Sequence, residues 1–241
     1  MSSFGTYLKL YCKMGGMKKG RIKRGQLGLN HKELQLLKSL NTPDKVQNFL
    51  NSLPFNFEKR GETHRSVRET LKSGEAHCFE GALLASACFS LQGRKPILLD
   101  LKVIRPDFDH VVALFRQDGK YGAVSKTNHA ILRYREPVYR DVRELAMSYF
   151  HEYFLFDGRK TLRSFSKPFD LSRYKSEWLT SGENLAYIAH DLDKSPHIQI
   201  LTPKQIKKLR KADPIEIKAS RITEYRADRG SRKGRIRLPK P

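Results

Sequence analysis

The chain has 241 residues, 39 % of them apolar, which suits one large domain, or a domain with appendages, and excludes disorder throughout. Its net charge of +22 is unevenly spread. Residues 1–31 carry seven Lys or Arg and no acid (+7), residues 203–241 carry fourteen against four (+10), and the middle carries twenty-six against twenty-one (+5). Basic ends around a nearly balanced middle fit nonspecific contact with nucleic acid or another anionic partner.

Cys12, Cys78 and Cys88 are odd in number and lack CxxC spacing, which argues against a disulfide framework or a structural zinc site and for a reducing, cytoplasmic setting. HEYFL at His151 lacks the second histidine of a zinc-protease helix, since Leu155 stands in its place. No cofactor or metal is expected. No apolar run approaches the roughly 20 residues of a membrane span.

The expected organisation is a basic lead-in over 1–29, an α+β domain over 30–201 and a basic C-terminal helix and tail over 202–241. Asn30 precedes a helix with Leu34, Leu37 and Leu40 in phase, and Thr42-Pro43 starts a second that Pro54 ends. Ser66 to Ser73 predicts a short third helix stopped by Gly74. Cys78 to Leu91 is apolar almost all round, the mark of a helix buried on several sides.

Beyond Gly93 the period becomes two. PILLDLKV, DHVVALF and KYGAVS predict an antiparallel meander, with Asp118-Gly119 as a hairpin turn. His110 shares a strand face with Val112 and Leu114. Val138 to Phe154 predicts one helix with an aromatic stripe. A basic, Ser-rich loop is expected as far as Ser176, followed by a helix over 182–192, a strand at HIQIL and a Thr202-Pro203 helix. IEIKAS predicts a strand, and the final dozen residues suggest disorder.

The chemistry centres on Cys78 and His110. A helix N-terminus favours a thiolate through its unpaired amides and dipole, and an imidazole in reach completes a nucleophile and base. The Cys78 amide is a ready oxyanion donor, and a third polar group must hold the imidazole in one tautomer. That group is expected from the next strand, KYGAVSKTNH. His77, His129, Glu80 and Asp109 are read as neighbours, and Cys88 as a packing residue.

From about Ser66 to Asn128 the order Cys-helix, His-strand, next strand resembles the transglutaminase-like branch of the papain-type cysteine enzymes. The carrying segments are CFEGALLASACFSLQG and DHVVALF. The resemblance implies an α+β fold with helices packed on an antiparallel β-meander, and catalytic Cys78 and His110. Where such proteins end the next strand in Asp, this chain has Ser125, with Asn128 three residues on. An Asn orients the histidine in papain-like relatives, so the implied triad is Cys78, His110 and Asn128, with Ser125 as the second candidate. The chain also resembles a set of bacterial proteins of similar length through SKTNHAILRYREPVYRDVRELAMSYFHEYF, which implies a shared fold and supplies no activity.

Two functions are expected in competition. One is a thiol hydrolase, or acyltransferase, acting on a peptide or amide-bearing substrate. The other is a catalytically inactive transglutaminase-like binding module whose basic ends contact nucleic acid or another anionic partner.

Overall fold

A computed structural model describes residues 28–59 and 61–225. Cys12, most of the basic lead-in and the last sixteen residues of the tail lie outside them.

Four helices open the fold. In α1 (His31–Ser39) the Asn30 side chain accepts from Glu33 N, while Glu33 accepts from Asn30 N, a reciprocal cap. In α2 (Pro43–Ser52) Thr42 is the cap and Pro43 takes the first helical position, where a missing N–H costs nothing. Helix α3 (Val67–Ser73) starts on Ser66 and ends at Gly74, whose φ of 68° is the left-handed stop a glycine adopts freely. Helix α4 (Cys78–Leu91) is buried continuously from Phe79 to Phe89. Its packing supplies most of its stability, about 1.5–3 kcal/mol for each fully buried Leu or Phe.

The meander forms as the alternation predicts: β1 (Ile97–Val103), β2 (His110–Gln117) and β3 (Lys120–Val124) pair antiparallel in sequence. With β4 (Arg135–Tyr139), β5 (Leu162–Ser166), β6 (Phe169–Asp170) and β7 (His197–Gln199) they make a seven-stranded sheet ordered β4-β3-β2-β1-β5-β7, with β6 also on β1. One core joins α1 to α4 to the sheet through Leu83, Phe89, Leu98, Ala113, Phe115 and Val124. A second lies under α5 (Val142–Ser148), with Leu99, Leu101, Val112, Tyr149 and Tyr153. The fold is thus a mixed one of helices and antiparallel sheet.

Three expectations are corrected. The single helix over Val138–Phe154 divides: Val138 lies in β4, Asp141 caps α5, and a 3-10 turn covers Phe150–Glu152. Pro137 cannot donate to a ladder, and β4 is the edge strand where that is tolerated. The Ser-rich loop contains β5 and β6, because Ser164 and Ser166 are buried and so hide the apolar alternation of a real strand. IEIKAS is helical. Asp213 and Glu216 cap each other reciprocally, and Pro214 starts the helix Pro214–Ser220, so local capping overrides a short alternating run.

The helix expected over 182–192 runs Ala186–Lys194, and the Thr202-Pro203 helix is only Pro203–Ile206. Residues after 201 are tied back to the body. Ala212 N donates to Gly158 O, Ala130 N to Ile222 O, and Thr223 bridges to His129. Among the described residues no helix is long and apolar enough to cross a membrane.

Candidate active site

Cys78 is the first residue of α4, where its amide has no carbonyl one turn back to bond. It is only partly buried, whereas Cys88, on the same helix, is fully enclosed. Burial alone would push the Cys78 thiol up, but hydrogen bonds and charge from His110 and His77 outweigh it and bring the thiol down to about 5. Nothing opposes burial comparably at Cys88, whose thiol is pushed far up. One cysteine is therefore a thiolate near neutrality and the other an inert packing group.

His110 heads β2, in register with Leu101 of β1, and is buried. Its Nε2 lies 2.7 Å from Ser125 Oγ, and Ser125 Oγ donates to Leu132 O at 2.5 Å. A hydroxyl has one proton, so toward the ring Ser125 accepts, and Nε2 carries the ring proton. In the neutral ring the lone pair is then on Nδ1. The relay from His110 through Ser125 to a backbone carbonyl thus assigns the tautomer a general base requires.

Ser125 is held from both sides. The Gln47 amide on α2 takes its backbone twice, accepting from Ser125 N at 2.9 Å and donating to Ser125 O at 2.8 Å. The next residue, Lys126, is buried and donates to Leu50 O at 2.9 Å and Leu53 O at 2.5 Å, at the end of α2. Burial draws its ammonium down to about 8. Gly81 makes room for it, since a Cβ there would lie 2.5 Å from Lys126 Cβ.

On the far side Leu132 adopts φ 60°, a conformation costing an ordinary residue roughly 1–2 kcal/mol. The Glu152 carboxylate, itself 2.6 Å from Arg135, accepts the Leu132 N–H at 2.6 Å and offsets that strain.

Of the two candidates for the third position, Ser125 contacts the imidazole and Asn128 does not. Asn128 uses both ends of its amide on Tyr225, donating to the carbonyl and accepting from the N–H, each at 2.9 Å. It stitches the C-terminal segment to the body.

His77, read as a neighbour, is built into the site. It is the N-cap of α4 and is buried. Its Nε2 lies 2.6 Å from Thr63 O, and its Nδ1 accepts from Phe79 N at 3.3 Å. Glu80, fully buried, accepts from His77 N, Asn56 Nδ2, Thr63 Oγ1 and Arg65 N. The helix-start acid is therefore also the anchor of the 56–65 segment. Gln47, Leu132, Asn56 and Thr63 were missed by sequence reasoning, because nothing local marks residues that act from distant elements.

Asp109 accepts from Val103 N at 2.8 Å and is pushed up, mainly by burial and also by Asp100. Carboxylate oxygens of Asp100, Asp109 and Asp193 lie within 4.8 Å of one another, a grouping that could hold a cation. The Lys102 ammonium pairs with Asp193 there and already supplies positive charge.

No protein-family model matches the chain, and no curated protein is significantly similar to it.

Proposed function

We propose that the chain is a thiol hydrolase of amide or peptide bonds, built on a transglutaminase-like core. The observation that carries this reading is the buried His110 ring, whose Nε2 is committed to Ser125 beside a Cys78 thiol that the same ring helps to hold down. In the proposed reaction the proton lost by the Cys78 thiol rests on His110 Nδ1, and the thiolate sulfur bonds to the substrate carbonyl carbon. The C–N bond breaks as the leaving nitrogen takes the proton from His110. Water, deprotonated by His110, then cleaves the thioester. The Cys78 amide is the nearest candidate to hold the oxyanion.

An activated ester such as p-nitrophenyl acetate tests it. A burst of one nitrophenol per Cys78, lost in Cys78→Ala, is expected, and added amine diverting the acyl group would indicate transfer over hydrolysis. Absence of a burst would remove the enzyme reading.

The inactive binding module draws on the same residue. A serine hydroxyl lacks the negative charge with which a carboxylate stabilises an imidazolium. That reading expects no burst, together with salt-sensitive binding to a generic RNA or duplex that weakens when residues 1–29 and 202–241 are removed.

A further inference from the structure

We propose that His77 is a fixed cation beside Cys78, a second imidazole that keeps the sulfur ionised while His110 alone carries the reaction's proton. This rests on the reading of Cys78 as nucleophile.

The surroundings of His77 select its charged form. Its Nε2 lies 2.6 Å from the Thr63 carbonyl, which can only accept, so Nε2 carries a proton. Glu58 and Glu80 present carboxylate oxygens 3.6 Å and 3.7 Å from that same nitrogen. Two acids around one buried ring favour the imidazolium. Glu80 cannot swing away, since Asn56, Thr63 and Arg65 N hold it. Two groups oppose the charge more weakly. The Arg65 guanidinium lies 3.7 Å from Glu80, and the His64 ring stands edge-on with its centroid 6.2 Å away.

The remaining nitrogen, Nδ1, is the one available to Cys78. In a neutral ring it takes the long 3.3 Å bond from Phe79 N. In the cation it becomes a donor toward the sulfur and frees the Phe79 amide in the first turn of α4. Consistent with this, burial would lower the His77 imidazole, but the bond and charge of Cys78, the charge of Glu80 and the Thr63 carbonyl raise it to about 9.

The division of labour follows. The proton leaving Cys78 goes to His110 Nδ1 and from there to the leaving nitrogen, and the thiolate expelled from the thioester returns beside His77. His77 gains and loses no proton.

Iodoacetamide alkylation of Cys78 in the full chain, resolved by peptide mass and followed from about pH 4 to about pH 10, tests the assignment. His110→Ala should abolish the ester burst and raise the alkylation midpoint only in part, leaving it below the free-thiol value of about 8.5. His77→Gln, which keeps an acceptor for Phe79 N, should raise the midpoint by at least about one pH unit, a roughly tenfold loss of thiolate below it. An unchanged midpoint in His77→Gln, with a fully raised one in His110→Ala, overturns the proposal and leaves the hydrolase reading standing. An ordinary wild-type midpoint, near the free-thiol value of about 8.5, sinks the nucleophile reading itself. A ring-nitrogen NMR titration of His77 needs no folding assumption about that variant. The ring should stay protonated beyond about pH 8 and titrate at least about one unit lower in Cys78→Ser. Titration near about 6.5 in both chains would overturn the assignment.

Discussion

Ser125 Oγ stands 2.7 Å from His110 Nε2 and spends its own proton on the Leu132 carbonyl. A neutral hydroxyl can orient the ring by geometry but lacks the charge with which a carboxylate would also stabilise an imidazolium. Ser125→Ala should lower kcat about 10- to 100-fold while KM changes little, because tautomer and orientation are lost and substrate contacts are kept. Steady-state ester hydrolysis measures the split. An unchanged kcat would deny Ser125 its orienting part.

Cys78 and Cys88 lie on one helix with opposite fates. Because the Cys78 thiol is held down at about 5, its thiolate is present above that pH and is lost as pH falls through it. Peptide-resolved iodoacetamide labelling should modify Cys78 at a nearly constant rate from about pH 6 upward, with a roughly tenfold fall per unit below about 5. Cys88 should stay unlabelled until the chain unfolds.

Asn128 joins the body to Tyr225 by a two-point amide contact. Asn128→Ala should cost about 1–3 kcal/mol in urea unfolding and raise amide exchange near residues 222–225. Cys78 labelling should keep its pH profile. A shifted profile would mean that Asn128 reaches the site.

His197 Nε2 lies 3.1 Å from Asp100 Oδ2 at the sheet's β1-β5-β7 side, and that bond chiefly raises the His197 imidazole against burial. A raised folded value stabilises the fold fully below the unfolded value of about 6.5 and is lost as pH rises through the folded one. His197→Gln should therefore lose more stability against wild type at about pH 6 than at about pH 9, read by urea midpoints. An equal loss at both would show that the ion pair contributes nothing.

Gly81 leaves the space that the Lys126 stem fills. Gly81→Ala should destabilise by about 1–3 kcal/mol despite alanine's better helix propensity, because a methyl 2.5 Å from Lys126 Cβ must displace it or the helix. The adjoining Ser125 should shift with it, so slower ester turnover is expected beside the lower melting temperature.

Much of the frame was legible in the chain because its signals are local. Asn30, Thr42 and Ser66 start helices by bonding their own first turns, the all-apolar Cys78–Leu91 run announces burial on every side, and Asp118-Gly119 joins two alternating strands. The placement of Cys78 at a helix start and His110 at a strand head followed from the same signals. Elsewhere local signals misled. Buried serines concealed β5, Pro137 sits on an edge strand that reads as helix, and Asp213-Pro214 turned an alternating run helical.

The partner of the imidazole was beyond any local signal. Ser125 and Asn128 lie three residues apart on one segment, and the resemblance to papain-like enzymes put Asn128 first without knowing which way the segment turns past Val124. That turn is decided by Gln47 from α2, by the Lys126 ammonium on the carbonyls at the end of α2, and by a left-handed Leu132 held by Glu152. His77 is a similar case, a cap in sequence and a buried ring among Thr63, Glu58 and Glu80 in space. Residue type and spacing determined which groups can react; contacts between distant elements decided which of them meet and which nitrogen holds the proton, because those depend on the path of the whole chain.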